Sequence, residues 1–364
     1  MITFNTVLTA ICSLSKCFPQ LDLPLRLEEG FLQTTDLNLA TNQTLTVALD
    51  LASDNFWVFG ANKVDDALLQ GVPSGVLKTA NDPLVVFNES STRFIVKYRK
   101  PIYEDDFNIT IQFARSVINL NTNALGIPQI GVALKNVTTY MSYLVGGSGV
   151  FGMQTSSYAN GVTISNSPGN VMLLYTPTYG KTEGRVATGA NAVDSRCSNS
   201  SLTFPMIRTR ALYPGSEGNY FAFNSTLTNK KMLLSTMTSY VVVDPATFSV
   251  VEKVLLPVWD PRNLTDDKGI PLRKHKIIPC NLTKSAPVLT FGVEGKSLTL
   301  DGTDYVKRTT TGYCILKLRQ MTANEDYWVL GYPFLQKYCV KVDFYKKTLS
   351  FSSSNQVAGE TEDE

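Results

Sequence analysis

Two carboxylates stand out by what surrounds them. Asp50 ends the apolar run Leu45-Thr46-Val47-Ala48-Leu49, and Asp244 ends Tyr240-Val241-Val242-Val243 near two-thirds of the 364-residue chain. An apolar strand that meets a single aspartate, twice in one chain, is the sequence form of a two-lobed site to which each lobe donates one carboxylate. Two carboxylates brought face to face share a proton, because like charges that close cannot both ionise. The ordinary alternative for an aspartate after a strand is a turn-forming residue, and the matched second copy argues against it.

The elements that must position such a pair are also duplicated. Gly149-Val150-Phe151-Gly152 and Trp328-Val329-Leu330-Gly331 are apolar runs closed by glycine, one in each half, in the same order relative to the aspartates. Strand signals dominate elsewhere. Leu23 to Leu27, Thr44 to Leu49, Arg93 to Tyr98, Asn108 to Phe113 and Tyr338 to Phe344 show alternation or short β-branched runs. The clearest helix is Phe248 to Leu256. Ser156 to Gly169 and Tyr179 to Ala192 read as Gly/Ser/Asn-rich loops, the second as the connection between lobes.

These motifs resemble the pepsin-like aspartic peptidases, whose active-site strands run into Asp-Thr-Gly-Ser or Asp-Thr-Gly-Thr, the first copy continuing into Asn-x-Trp-Val. The first segment keeps Asp50, Ser53, Asn55, Trp57 and Val58 with Leu51 and Ala52 in place of Thr-Gly; the second keeps Asp244 and Thr247 but has Pro245, Ala246 and Phe248. The resemblance covers about residues 24 to 352. It implies a mostly β, bilobal fold with two β-barrel-like lobes and a cleft between them. Residues 18–189 would form the N-terminal lobe and 190–352 the C-terminal lobe, after a leader at 1–17 and before an acidic tail at 353–364.

The resemblance implies that Asp50 and Asp244 are the catalytic carboxylates, the charged one activating water while the protonated one polarises the scissile carbonyl. Ser53 and Thr247 would support them, and Tyr98 stands where the family's flap tyrosine stands. The departures point away from catalysis. Leu51 and Pro245 lack the hydroxyl that makes a cross-lobe hydrogen bond, and proline also lacks an N–H. Phe248 removes a further donor, and Pro101 with Tyr103 replaces the Gly-rich hairpin after Tyr98, which therefore reads equally as an ordinary strand aromatic. The first strand also starts too soon after the leader to leave room for the basic segment that covers the cleft of active members. Three readings stay open: a secreted homologue, weak or inactive, that binds a peptide or protein; an acid endopeptidase working through Asp50 and Asp244; or a structural role that ignores the cleft.

Charge, cysteines and sequons bound the setting. The net charge of +2, from 33 basic and 31 acidic residues without long blocks, leaves no footprint for nucleic acid or an anionic membrane. Met1 to Ser15 is uncharged and apolar, as in a secretory signal, with cleavage open between Ala10-Ile11-Cys12 and Ser15-Lys16-Cys17; no later stretch is long enough for a membrane span. The expected setting is secreted, extracellular or another endomembrane compartment, as a monomer. Sequons begin at Asn42, Asn88, Asn108, Asn136, Asn199, Asn224, Asn263 and Asn281. Such a compartment favours disulfides, and the family resemblance places Cys280 with Cys314, leaving Cys197 for Cys339; free thiols in a reducing compartment are the alternative. His275 is the only histidine, and no metal site or cofactor is expected.

Overall fold

The computed structural model describes residues 22–28, 31–39, 44–52, 56–59, 86–87, 94–98, 100, 107–115, 118–120, 123–125, 130–135, 149–153, 171–177, 183–207, 221–259, 276–308, 313–322 and 325–355. The leader, residues 356–364, Ser53 and the sequons at Asn42, Asn88, Asn136 and Asn263 lie outside them, whereas Ser353 and Ser354, expected in the acidic tail, belong to the last strand.

The fold is mostly β. In the first half the strands are β1 (Asp22–Glu28), β2 (Phe31–Leu39), β3 (Thr44–Asp50), β4 (Phe56–Phe59), β5 (Val86–Phe87), β6 (Phe94–Tyr98), β7 (Phe107–Arg115), β8 (Ile118–Leu120), β9 (Asn123–Leu125), β10 (Ile130–Lys135), β11 (Gly149–Gly152), β12 (Val171–Tyr175) and β13 (Gly184–Thr188). The second half holds β14 (Cys197–Pro205), β15 (Ala222–Ser225), β16 (Lys230–Leu234), β17 (Val241–Val243), α1 (Pro245–Leu255), β18 (Val258–Trp259) and β19 (Lys276–Ile278). After a 3-10 turn at Cys280–Ser285 come β20 (Leu289–Val293), β21 (Lys296–Leu300), α2 (Gly302–Tyr305), β22 (Val306–Arg308), β23 (Cys314–Leu316) and β24 (Leu318–Gln320). β25 (Tyr327–Leu330), α3 (Tyr332–Lys337), β26 (Tyr338–Asp343) and β27 (Thr348–Ser354) close the chain.

Burial explains the strands. In β1, Leu23, Leu25 and Leu27 are buried while Pro24 and Arg26 between them are half-buried, the period-2 pattern of a sheet with one wet face. β11, β17 and β25 are buried along their whole length, so they read as unbroken apolar runs, as strands covered on both faces must. A shared sheet joins the halves: β12 pairs β13 on one side and β26 on the other, with Leu174 opposite both Val186 and Val340. Gly184–Thr188, expected as part of a loop, is therefore a strand, because β1 and β12 pair with it from both flanks. The Cys197–Cys339 disulfide ties β14 to β26 in this sheet, and Cys280–Cys314 ties the 3-10 turn to β23.

The register shows the internal duplication residue by residue. β3 runs parallel to β11, with Ala48 opposite Val150 and Leu49 opposite Phe151, and β4 runs antiparallel to β11, with Trp57 also opposite Val150. In the second half β16 runs parallel to β25, with Leu233 opposite Val329, and β17 runs antiparallel to it, with Val242 also opposite Val329. Ala48 thus corresponds to Leu233 and Trp57 to Val242, in each case the 185-residue offset that also separates Leu51 from Thr236.

Candidate functional site

Asp50 ends β3 fully buried, following Val47, Ala48 and Leu49, which are buried as well. Its backbone carbonyl accepts from the Met153 N–H at 2.9 Å, and its Oδ1 accepts from the Ala52 N–H at 2.7 Å. The small Ala52 permits the close approach that glycine would give.

The offset places Ser235 at the position of Asp50, and the local bonding agrees. The Ser235 Oγ accepts from the Met237 N–H at 3.1 Å, the same side chain to i+2 bond that Asp50 makes with Ala52. Ser235 is fully buried at the end of β16, and its N–H donates to the Leu330 carbonyl at 3.1 Å beside Gly331, as Asp50 lies beside Gly152. Gly331 is required there: a Cβ would stand 2.3 Å from the Tyr240 carbonyl oxygen and 2.4 Å from that of Thr238, inside any allowed contact.

Thr236 reaches across between the halves. Its Oγ1 accepts from the Leu51 N–H at 3.1 Å and donates to the Leu49 carbonyl at 2.5 Å, clasping the peptide groups on both sides of Asp50. Its own carbonyl accepts from the Tyr332 hydroxyl. The cross-half hydroxyl is therefore present on one side and missing on the other, where Leu51 stands.

Asp244 is elsewhere. It caps α1: Oδ1 accepts from the Thr247 N–H at 3.0 Å, and Oδ2 accepts from the Thr247 hydroxyl at 2.9 Å and from the Trp328 indole N–H at 2.8 Å. Burial pushes its pKa up, but the Thr247 N–H, the Trp328 indole, the Thr247 hydroxyl and the charge of Lys230 together hold it below the usual carboxylate range. This bonding is that of a helix cap, unlike the bonding of Asp50 in the first half. By the 185-residue offset Asp244 matches Phe59, at the far end of β4, because Val241–Val243 is the counterpart of β4 and not of β3. The two neighbours that looked damaging are ordinary helix residues. Pro245 sits at the first helical position, where a missing N–H costs nothing, and Phe248 is buried in the core.

Other expected site residues fall as follows. Tyr98 ends β6, paired with Phe107 of β7. The 3-10 turn carries Cys280 and exposed Asn281, and Asn108, Asn199 and Asn224 are exposed as well. No group of three or more His, Cys, Asp or Glu suited to a metal ion occurs among the described residues.

The family model named Eukaryotic aspartyl protease matches residues 169–354, half of the chain. The chain belongs to this family. No curated protein matches it. Set against the Asp-Thr-Gly-Thr-Ser pattern, the aspartyl protease motif of the second half is Ser235-Thr236-Met237-Thr238-Ser239, which keeps both threonines and the serine. That Thr-x-Thr-Ser string after Met232-Leu233-Leu234 was the available signal for the true position. It is hidden because the aspartate that normally announces it is absent.

Proposed function

We propose that this chain is a secreted aspartyl protease homologue that does not hydrolyse peptides and instead binds a polypeptide at the site around Asp50. One observation carries the reading: the register and the bonding of Ser235 put a hydroxyl where the second carboxylate of the dyad belongs. The family reaction uses one ionised and one protonated carboxyl sharing a proton. A serine hydroxyl does not take a share of that proton at acid pH, so no carboxylic acid stands opposite Asp50 to polarise the scissile carbonyl. General acid–base help of this kind is worth about 10²- to 10⁴-fold, and Leu51 removes one of the two cross-half hydroxyls as well.

The remaining architecture fits binding. Polypeptide is the ligand class that family membership implies, and the fold around Asp50 is kept by the Thr236 clasp. Secretion is supported by the two disulfides, the uncharged apolar start of the chain and the exposed sequon asparagines. No helix among the described residues is long and apolar enough to cross a membrane.

The test is turnover of a denatured protein substrate at acid pH, with and without a statine-type inhibitor. Wild type should show none, and Ser235→Asp combined with Met237→Gly, Leu51→Thr and Ala52→Gly should gain inhibitor-sensitive activity. Brisk turnover by the unmodified chain, abolished by Asp50→Asn, would overturn the reading. Asp244→Asn should leave any activity of the restored variant in place.

A further inference from the structure

We propose that Tyr332 is a positioning residue for the Asp50 site, its hydroxyl setting the peptide group from which Ser235 and Thr236 both take their places. The Thr236 carbonyl accepts from the Tyr332 hydroxyl. The N–H of that same peptide group, which belongs to Met237, donates to the Ser235 Oγ at 3.1 Å. A peptide unit is planar, with its C=O and N–H on opposite edges, so a bond at each end fixes how it is turned. Ser235 holds one end and Tyr332 the other. The Tyr332 N–H also donates to the Thr238 carbonyl at 3.3 Å, so one residue grips the motif at two points.

The contact is shut away from water, with Thr236 at 0 %, Thr238 at 1 % and Tyr332 at 4 % exposure, where hydrogen bonds are electrostatically stronger. A buried tyrosine hydroxyl finds an acceptor in most folds. What singles out Tyr332 is which acceptor it finds: the residue whose own hydroxyl crosses to the Leu49 carbonyl and the Leu51 N–H. Two contacts thus lead from Tyr332 through Thr236 to the turn that carries Asp50.

The duplication shows that this brace belongs to the second half alone. Gly331 answers to Gly152, so Tyr332 stands where the first half has Met153, which is fully buried and has no side-chain donor. The brace therefore lies on the side that receives no hydroxyl from Leu51, and it supports the Ser235 to Ser239 motif from within its own half. α3 keeps Tyr332 in place. Pro333 follows it at the start of the helix, and the Phe334 ring packs 5.6 Å from that of Phe291, 5.0 Å from Tyr338 and 5.3 Å from Phe351. Further along, the Gln336 Nε2 donates to the Pro177 carbonyl at 3.3 Å and the Lys337 Nζ to the Asp304 Oδ2 at 2.6 Å.

The inference holds whether the Asp50 site binds or hydrolyses polypeptide, so its failure leaves the functional reading untouched. The test is amide hydrogen exchange at Leu51 and Met237 in the full chain. Tyr332→Phe removes one oxygen and keeps the ring, and both amides should exchange about two- to tenfold faster. Thr236→Val should quicken Leu51 and leave Met237 at the wild-type rate, because the brace on the peptide group is intact. Tyr305→Phe deletes the same atom from another fully buried tyrosine whose hydroxyl donates to a carbonyl, that of Pro287, and should change neither amide. Unchanged exchange at Leu51 in Tyr332→Phe, or an equal change in Tyr305→Phe, would overturn the positioning role. The wild type supplies a second reading that needs no variant to fold: the Tyr332 hydroxyl proton, followed by NMR through labelled tyrosine, should be protected from solvent exchange. A hydroxyl that exchanges freely while Leu51 stays protected would likewise overturn the brace.

Discussion

Replacing Thr236 by valine keeps the side-chain shape and deletes only the hydroxyl that clasps the Asp50 turn. Two hydrogen bonds vanish, from the Leu51 N–H at 3.1 Å and to the Leu49 carbonyl at 2.5 Å, both between fully buried groups. At about 0.5–1.5 kcal/mol each, the loss is about 1–3 kcal/mol. With a urea dependence of about 3 kcal/mol per molar, the unfolding midpoint should fall by about 0.3–1 M. Thr236→Ser, which keeps the hydroxyl, should recover most of the loss. Thr203→Val, which breaks an exposed pair with Ser350, should stay within about 0.5 kcal/mol. Hydrogen exchange at Leu51 should quicken in the valine variant and not in the serine one. A valine variant with the wild-type midpoint and unchanged exchange at Leu51 would refute the clasp.

Three further expectations follow from the same geometry. Asp244→Ala removes a helix cap worth about 0.5–2 kcal/mol and the charged acceptor of the Trp328 indole, about 1.5–3 kcal/mol. Because the folded Asp244 pKa lies below its unfolded value, that stabilisation is full above the ordinary carboxylate range and is lost as pH falls through the folded pKa. Parallel denaturant titrations should therefore show the gap between wild type and Asp244→Ala closing toward strongly acid pH; a gap that widens there contradicts the assignment. Gly331→Ala forces a Cβ onto the carbonyls of Tyr240 and Thr238 and should abolish soluble expression, checked by comparing soluble yield with that of wild type. Cys280→Ser with Cys314→Ser opens a loop with a sequence separation of 34 and should cost about 4 kcal/mol in the chain-entropy account, measured by urea unfolding under non-reducing conditions.

The strands were legible where a period shows in the chain itself. Leu23, Leu25 and Leu27 alternate, and β1 follows. Phe248 to Leu256 reads as a helix, but the true start is Pro245, because the residue before it is a cap and not a catalytic aspartate. Val241–Val243 followed by Asp244 looks like Val47–Leu49 followed by Asp50, and composition cannot say which of two apolar runs lies parallel to β25. The pairing decides, and it assigns that place to Lys230–Leu234 and hence to Ser235. Gly184–Thr188 escaped for a related reason: its strand character comes from two neighbours distant in sequence, which override a glycine-rich local signal.

The clasp also sets a clock. Thr236 lies 185 residues beyond the Leu51 that it holds, so this hold on the turn carrying Asp50 is missing until the ribosome has made the second half. At about 5–20 residues per second, roughly 10 to 40 seconds separate synthesis of that turn from synthesis of the hydroxyl that fixes it. Closing so long a loop also slows folding. Ordering at Asp50 is accordingly a report, written in the first half of the molecule, that the second half has been made and has folded.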